Sequence, residues 1–433
     1  MAPMLVHLVL ASALVLATVP GQERRPGASQ QPGFQTPLSA QFIHCTPTTI
    51  RLSNGQQLES KNPLADALAR CGPGSTILLA DGSYPSFGIG FAKKSDWNAP
   101  ISGGTRAQPI VVRAQGNGAR VVPRTSGDTI AIAQELKCGW ITFEGLTIEC
   151  GYRAGIMFYK LADQRRHEGF KFLDCHLVGG FDHAKGEGAN SKWGVWGNCL
   201  ADFEFRGVRG RASVRDIRHE HGFYLQNLVG DVTIENVDGA RLGRTFLQVV
   251  ARPDWGPPGT GTLTVRNCSI EDPCIARGDD YKGGSALTLS GRHTGRAIFE
   301  NNRYRSGFNP ALTKLTREGV PFGTGAFVAW DAGGEPNGTL ILRNNDFQIA
   351  PGCGDRPLVA IGGCRDVQVV GRNRLVAGNS SALEIDPVTP KGFGSSKCGK
   401  VTIDPALDCK GTIKLQGSVA TPEQLAALAP QRK

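Results

Sequence analysis

The chain has 433 residues, of which 40% are hydrophobic and 20% charged, so it can bury a large core and does not have the composition of a disordered protein. Its 57 glycines and 7% aromatic content indicate many tight corners around a core of mainly aliphatic side chains. A formal net charge of +10, with a pI near 9.1, favours an anionic partner. The absence of a nucleic-acid-binding motif argues against nucleic acid.

The N-terminal segment predicts export. Residues 5–19 form an apolar run that is too short for a membrane span, and Pro20 and Gly21 follow it, although no Lys or Arg precedes it. We therefore predict a signal peptide over residues 1–21 and a disordered Pro/Gly/Gln-rich linker over 22–44. Residues 45–433 are predicted to form a single domain, with caps at 45–84 and 398–433. The mature protein is expected to be secreted, extracellular or periplasmic, with no membrane span.

Cysteine usage agrees with an oxidising compartment. There are 12 cysteines, an even number, and many lie in pairs that are near in sequence, so we expect some disulfides. No CxxC motif occurs, which argues against zinc and thioredoxin-like sites. The near pairs are Cys45 with Cys71, Cys138 with Cys150, Cys175 with Cys199, Cys268 with Cys274, Cys353 with Cys364, and Cys398 with Cys409.

A short phrase recurs eight times between residues 141 and 372, and each copy is a strand-like run that ends in a small or amide residue. The period is about 30 residues and varies by insertion, which is typical of a solenoid. The small-residue column reads Gly145, Cys175, Gly207, Asn236, Asn267, Asn301, Asn344 and Gly371.

A second strand-like run follows each phrase, and no helical periodicity intervenes. This pattern predicts an all-β, right-handed parallel β-helix, in which successive coils stack their corners and their inward side chains. Asn suits such a corner because it tolerates the left-handed conformation and can hydrogen-bond to the equivalent Asn one coil away. A β-sandwich is the alternative, but it gives no reason for Asn to recur at one place in each unit.

The predicted caps carry a family resemblance. NPLADALARCG at 62–72 predicts a short amphipathic helix, and GSTILLADGSY at 74–84 predicts a buried strand and turn. This arrangement resembles the start of secreted pectate-lyase-like β-helix proteins. At the other end, Thr421 is predicted to cap a helix that runs through Leu428 and covers the last coil.

The resemblance implies the fold and not one activity, because that superfamily contains lyases, hydrolases, epimerases, esterases and adhesins. Polygalacturonase-like hydrolases carry Asn-Thr-Asp, Asp-Asp, Gly-His-Gly and Arg-Ile-Lys in that order. This chain has only the Asp279-Asp280 pair, which argues against that branch. Epimerase-like Asp-Pro-His patterns are also absent.

The richest polar segment is RDIRHEHGFYLQN at 215–227. Strand alternation places Phe223 and Leu225 in the core, and Tyr224 and Gln226 outward. Aligned coils give an inward column of Val195, Phe223, Leu247 and Leu287. The outward column is Trp196, Tyr224, Gln248 and Thr288. Aromatic side chains beside cations and amides are what a sugar-binding groove needs.

A polysaccharide lyase that cleaves an acidic glycan by β-elimination is the preferred hypothesis. It needs a base, an acid and a cation, and His219 or His221, Tyr224, and Arg244 or Arg215 supply these types. A corner that only hydrogen-bonds the coil is the alternative role for the two histidines. The predicted catalytic residues are His219, His221, Tyr224 and Arg244. The predicted substrate-binding residues are Lys192, Trp193, Trp196, Arg215, Gln226, Gln248, Arg252, Asp279, Asp280 and Lys282.

Two other functions stay open. A glycoside hydrolase would use Asp279, Asp280 and Glu220 as acid and base, whereas a carbohydrate-binding or cell-surface protein would have no catalytic centre. No cofactor or metal site is firmly implied, although the loop around Asp279 offers the oxygen ligands that calcium takes. The expected partner is an extracellular, anionic polysaccharide, and we expect a monomer.

Overall fold

The computed structural model describes most of the chain after residue 38, and the described residues belong to one compact unit. The predicted signal peptide and most of the predicted linker lie outside them. The first strand, Phe42–Cys45, begins within the predicted linker because it pairs in parallel with Thr76–Leu79. The described residues are 39–92, 97–99, 101, 103–123, 127–151, 153–160, 166–179, 193–208, 212–215, 221–251, 256–275, 284–312, 316–317, 319–332, 334–387 and 396–430.

Three long sheets, called A, B and C here, run the length of the described chain, and nearly all their strands are parallel to their neighbours. Each coil contributes one strand to each sheet in turn, which is the predicted right-handed parallel β-helix. Sheet A contains, in spatial order, Gln57–Glu59, Thr49–Arg51, Phe42–Cys45, Thr76–Leu79, Ile110–Ala114, Gly139–Glu144, His167–Leu173, Phe203–Arg206, Val232–Glu235, Thr262–Arg266, Arg296–Glu300, Asn337–Arg343, Cys364–Val370 and Lys400–Ile403, with Leu200–Ala201 beside His167–Leu173.

The other two sheets follow the same order of coils. Sheet B contains Gly82–Pro85, Ala119–Val122, Thr147–Cys150, His176–Gly179, Ala212–Arg215, Asp238–Ala240, Ser269–Glu271, Arg303–Ser306, Asp346–Ile349, Arg374–Val376 and Asp408–Lys410. Sheet C contains Asn98–Ala99, Phe87–Ile89, Asp128–Ile132, Ala154–Phe158, Trp193–Asn198, His221–Gln226, Leu247–Val250, Ser285–Ser290, Gly325–Trp330, Val359–Ile361, Leu383–Ile385, Ile413–Leu415 and Ser418–Val419. A separate hairpin pairs Thr316–Arg317 with Val320–Pro321.

The predicted corner column exists, with one correction. Asn236, Asn267, Asn301 and Asn344 follow strands of sheet A that pair in register, and all four have left-handed backbones with φ of 54–56°. Cys175 is not in this column. Strand His167–Leu173 ends one residue earlier than the sequence alignment implied, so Asp174, with φ of 55°, occupies that corner. Asp tolerates this conformation for the same reason as Asn.

Hydrogen bonding between stacked amides occurs in the next column along the chain. Asn302, Asn345 and Asn373 are buried and form the asparagine ladder. Asn302 Nδ2 donates to Asn345 Oδ1 at 3.1 Å, and Asn345 Nδ2 donates to Asn373 Oδ1 at 3.1 Å. Each Oδ1 also accepts from the backbone N–H of the asparagine one coil earlier, at 3.0 Å. The ladder therefore satisfies buried polar groups at the corner and holds the coils in register.

The two ends of the solenoid carry the expected helices. Helix α1, Pro63–Leu68, begins at Asn62, whose side chain accepts from Ala65 N, and it buries Leu64 and Leu68. Helix α2, Pro422–Ala427, begins with a capping box between Thr421 and Gln424. No helix among the described residues is long and apolar enough to cross a membrane.

All twelve cysteines are free thiols in this structure, so the sequence-near pairs are not bonded in it. Several thiols are integrated into the corners instead. The Cys175 thiol donates to Leu173 O at 3.4 Å, and the Cys268 thiol donates to Arg266 O at 3.3 Å. Burial raises the pKa of both thiols to about 12, so they are neutral and behave as small core side chains.

The ladder and the left-handed column can be tested separately at adjacent positions. Asn345→Ala removes the buried amide and leaves its hydrogen-bonding neighbours unsatisfied, so we expect a loss of at least about 2 kcal/mol in the free energy of unfolding. Asn344→Gly keeps the left-handed backbone and should change that free energy by less than about 1 kcal/mol. Urea unfolding measures both. Equal losses of unfolding free energy in the two variants would contradict the assignment of hydrogen bonding to the column of Asn345 and of the left-handed turn to the column of Asn344.

Candidate active site on the outer face of sheet C

The predicted outward column lies on the outer face of sheet C. Trp196 pairs in register with Tyr224, Tyr224 with Gln248, and Gln248 with Thr288. The column extends to Met157 on the N-terminal side and to Val328 on the C-terminal side. Neighbouring coils are about 4.8 Å apart, so this column forms a continuous strip along the solenoid axis.

The outer faces of sheets A and B are different, because each carries a ladder of alternating charge. On sheet A, Arg266 pairs with Glu235 at 2.9 Å, and Arg343 pairs with Glu300 at 3.3 Å. On sheet B, Arg305 pairs with Asp346. These charges are compensated by neighbours in the same sheet. By contrast, the column on sheet C is uncharged from Ala131 to Ala360.

An aromatic cluster occupies the N-terminal half of the sheet C face. Trp196 is 8% exposed and packs with Ala154 and Met157, while Trp193, Tyr224 and Tyr159 pack around them and are half-buried. The Trp193 ring centroid lies 6.3 Å from that of Trp196 and 6.2 Å from that of Tyr224. Trp193, Tyr224 and Tyr159 are the partly exposed rings of this cluster, and rings of this kind are the surfaces on which sugar rings can stack.

His221 lies at the edge of this cluster. Its ring stacks on Tyr224 with centroids 5.0 Å apart, and its Nδ1 is hydrogen-bonded to the hydroxyl of Thr245, the equivalent position one coil later. The side chain is only 4% exposed. Burial, assisted by the positive charge of Arg244, lowers the pKa of His221 to about 3, so the imidazole is neutral at physiological pH.

Arg244 immediately precedes Thr245 and is exposed. The next residue, Thr245, is hydrogen-bonded to His221 Nδ1, so Arg244 lies beside the imidazole, and its positive charge contributes to lowering the pKa of His221. Three of the four predicted catalytic residues, His221, Tyr224 and Arg244, are therefore brought together. The fourth, His219, lies outside the described residues. Their catalytic roles remain predictions.

A second polar group lies two coils before His221 and was not predicted from the sequence. Arg153 Nε donates to Asp128 Oδ1 at 2.8 Å, and Arg153 Nη2 donates to Asp128 Oδ2 and to the hydroxyl of Tyr159. The Tyr159 hydroxyl donates to Asp128 Oδ2 at 3.1 Å. The bidentate bond to Asp128 raises the pKa of Arg153, which stays charged, and burial raises the pKa of Tyr159.

The remaining predicted binding residues have mixed outcomes. Gln248 is half-buried in the outward column. Gln226 is fully buried, not exposed in a groove, and its Oε1 accepts from Asn198 Nδ2 at 3.4 Å. The reason is that the chain turns immediately afterwards at Asn227, whose φ is 50°. Arg215 ends a strand of sheet B, but its side chain is not described.

Other predicted residues lie outside the described part of the chain, as does the loop considered for calcium. Within the described part, no group of three or more His, Cys, Asp or Glu side chains could hold a metal ion. The predicted residues outside it are Lys192, His219, Glu220, Arg252, Asp279, Asp280 and Lys282.

One signal in the sequence could have revealed the second group. Arg153 directly precedes the strand-like run that begins at Ala154, and Arg244 stands in the same position before Thr245. Aligning the residue before each second strand would have placed both arginines in one column. Asp128 begins a strand of sheet C, and Thr245 lies shortly before another. Neither residue belongs to a recognisable sequence motif.

Comparison with known proteins gives remote similarities. No protein-family model matches the chain, and no curated protein matches it. One similar solved structure is alginate lyase from Paenibacillus sp. str. FPU-7, with 16% identity over 78% of this chain and 98% of that chain and a TM-score of 0.46. Another is GH136 lacto-N-biosidase from Eubacterium ramulus, with 11% identity over 86% of this chain and 68% of that chain and a TM-score of 0.41.

A third similar structure is the A-module of the mannuronan C-5 epimerase AlgE6 from Azotobacter vinelandii, with 11% identity over 81% of this chain and 91% of that chain and a TM-score of 0.36. At these identities the likeness concerns the fold and not a particular activity. The resemblance to pectate-lyase-like β-helix proteins that the N-terminal cap predicts is one of architecture, which the chain's own three parallel sheets carry.

The lowered pKa of His221 predicts a pH-dependent stability. An unfolded histidine titrates near 6.5, so between about pH 6.5 and 3 the unfolded chain binds more protons than the folded one. Stability should therefore fall with decreasing pH, and His221 should contribute up to about 1.4 kcal/mol per pH unit. Urea unfolding of His221→Gln at several pH values should show a shallower fall than in the wild type.

His293 is the internal reference for this experiment. Burial also lowers its pKa, so it contributes in the same direction to both proteins and cancels in the comparison. If the wild type and His221→Gln lose stability equally as the pH falls, His221 is not held neutral by the fold.

Proposed function

We propose that this protein is a polysaccharide lyase that binds an acidic glycan along the outer face of sheet C and cleaves it by β-elimination at His221 and Tyr224. The observation that carries the proposal is the stacked His221–Tyr224 pair, with Arg244 beside it, within an aromatic cluster on the outer face of sheet C, whose column is uncharged from Ala131 to Ala360. A carbohydrate-active protein is the broader class to which this proposal belongs.

The chemistry requires three roles. A base removes the proton from the carbon next to the uronate carboxylate, a double bond forms, and the bond to the departing sugar oxygen breaks as an acid protonates that oxygen. His221 is assigned as the base and Tyr224 as the acid. Arg244 is assigned to the carboxylate, which takes up further negative charge as the proton leaves and the electron pair of the C–H bond delocalises onto it.

The environment of His221 suits this assignment. Because the imidazole is neutral at pH 7, it can accept a proton without first losing one. When Nδ1–H donates to Thr245 Oγ1, the lone pair of Nε2 is the basic site. A bound uronate brings negative charge close to the ring, which would raise the pKa of His221 from about 3 toward the working pH.

The remaining properties follow from the proposed substrate. An extracellular acidic polysaccharide requires export, so secretion through a signal peptide at residues 1–21 is part of the proposal. The protein is proposed to act as a monomer, because the strip along sheet C belongs to one chain. No cofactor is assigned, and the loop around Asp279 that was considered for calcium lies outside the described residues.

A non-catalytic carbohydrate-binding protein is the second candidate, and one observation favours it. His221 is almost fully covered and hydrogen-bonded to the neighbouring coil, which is also what a purely structural corner residue would do. In that case the aromatic cluster alone would carry the function. The hydrolase hypothesis depends on Glu220, Asp279 and Asp280, which lie outside the described residues.

Substitutions at the site distinguish the two candidates. For a lyase, His221→Ala and Tyr224→Phe should each reduce turnover by about 100-fold or more, because each removes a positioned proton-transfer group. Arg244→Ala should impair binding and turnover of carboxylated substrates. Trp196→Ala should weaken binding in both candidates. The assay follows the ultraviolet absorbance of unsaturated products with a panel of uronate-containing polysaccharides.

Arg113→Gln is the control, since Arg113 belongs to the charge ladder of sheet A, where it pairs with Glu144. It should bind and cleave as the wild type does. The opposite outcome is that the wild type binds uronate polymers without forming any unsaturated product. If His221→Ala then leaves this binding unchanged and Trp196→Ala weakens it, the protein is a carbohydrate-binding protein and not a lyase.

A further inference from the structure

Arg153 and Arg244 occupy equivalent positions on different coils. Ala154 pairs in register with Trp193, and Trp193 pairs with His221. His221 lies opposite Thr245, to which it is hydrogen-bonded. The two arginines directly precede the first and last residues of this row. They are therefore three coils apart along the solenoid axis, or about 14 Å, a span that suits two or three sugar units.

The guanidinium of Arg153 is held rigidly with one edge toward the protein. The Asp128 carboxylate accepts hydrogen bonds from Nε and Nη2 of Arg153, and the Asp128 side chain is only 1% exposed. The guanidinium carbon lies 5.2 Å from the centre of the Tyr159 ring. Among the described residues, the hydrogen bonds of Arg153 use Nε and Nη2, and none uses Nη1. The Arg153 side chain is 39% exposed, so a donor edge remains for a ligand.

Aromatic rings continue from this group toward the N-terminal end of sheet C. The Phe91 ring centroid lies 5.7 Å from that of Tyr159 and 5.4 Å from that of Trp97, and all three residues are half-buried. A rigid donor edge beside aromatic rings is the combination by which proteins bind sugar rings and their hydroxyl groups. The arrangement is built before any ligand arrives, which reduces the entropy cost of binding.

The charges of this group indicate which sugar atoms it recognises. Arg153 and Asp128 form a compensated pair, so the group adds little net charge to the face. Arg244, which is assigned to the carboxylate, precedes Thr245, the hydrogen-bond partner of His221. A carboxylate is attracted by net positive charge, whereas a hydroxyl needs directed hydrogen bonds. The geometry at Arg153 therefore fits hydroxyl oxygens better than a carboxylate.

We propose that Arg153, held by Asp128 and Tyr159, forms a second sugar-binding subsite with Phe91 and Trp97, three coils from Arg244. It binds the hydroxyl groups of the sugar that lies about three units along the glycan from the one held by Arg244, since the two arginines are about 14 Å apart. The inference rests on the proposed function, because it assumes that the glycan lies along sheet C. It adds that the substrate runs parallel to the solenoid axis and must be longer than three units to bind fully.

The test compares oligouronates of three and six units by calorimetric titration and by cleavage. The variant is Asp128→Asn with Arg153→Gln, which removes both charges together and so leaves no unpaired buried carboxylate. We expect its affinity for the hexamer to fall by about tenfold, the value of one good hydrogen bond, with no change for the trimer. Because the lost bonds are not charge-driven, the fold-change should be the same at low and high salt.

Arg113→Gln again serves as the matched control, as an ion-paired arginine on sheet A. Thermal melting of the double variant near the wild-type temperature establishes that the fold is intact, and Tyr159→Phe is a milder variant if it is not. Unchanged hexamer affinity, or equal losses for trimer and hexamer, would overturn the subsite while the wild type still cleaves. If the wild type binds neither oligomer, that result would contradict the proposed function and therefore also the subsite.

Discussion

The in-register stacking of parallel coils is the constraint on which the rest of this molecule depends. A strand placed one residue out of register would turn its core side chains outward, and every column on the surface would break at that coil. Two devices at the corner after sheet A prevent such a shift. Left-handed Asn and Asp residues turn the chain at the same point in successive coils, and the asparagine ladder links three of those coils through buried hydrogen bonds.

Register also explains how a function can be built on so uniform a fold. Equivalent positions on successive coils lie about 4.8 Å apart and form a row along the solenoid axis, so a row of similar residues becomes a surface of one chemical kind. On sheets A and B the rows carry alternating charges that pair with each other. On sheet C the row carries aromatic side chains, with His221 and two equivalent arginines beside it. On this face the stacking surfaces lie beside groups that can move a proton or hold a carboxylate.

Much of this organisation could be predicted from the sequence, because repeats reveal register. The Asn column, the cap helices and the outward column through Trp196 and Tyr224 all follow from aligning the strand-like runs. The Cys175 error shows the limit, since the phrase there fits two alignments and only the backbone shows that Asp174 makes the turn. The burial of Gln226 and the Arg153–Asp128–Tyr159 group depend on how side chains fold over the surface between coils, and periodicity carries no information about that.

The central claim is that the outer face of sheet C is the glycan-binding face, and hydroxyl-radical footprinting with a bound oligouronate tests it most directly. Trp193 and Tyr224 report on that face, and Trp140, which is similarly half-buried in sheet A, is the internal reference. The account predicts that the oligouronate protects Trp193 and Tyr224 from oxidation and leaves Trp140 unchanged. Protection of Trp140, with Trp193 and Tyr224 oxidised as in the free protein, would contradict it.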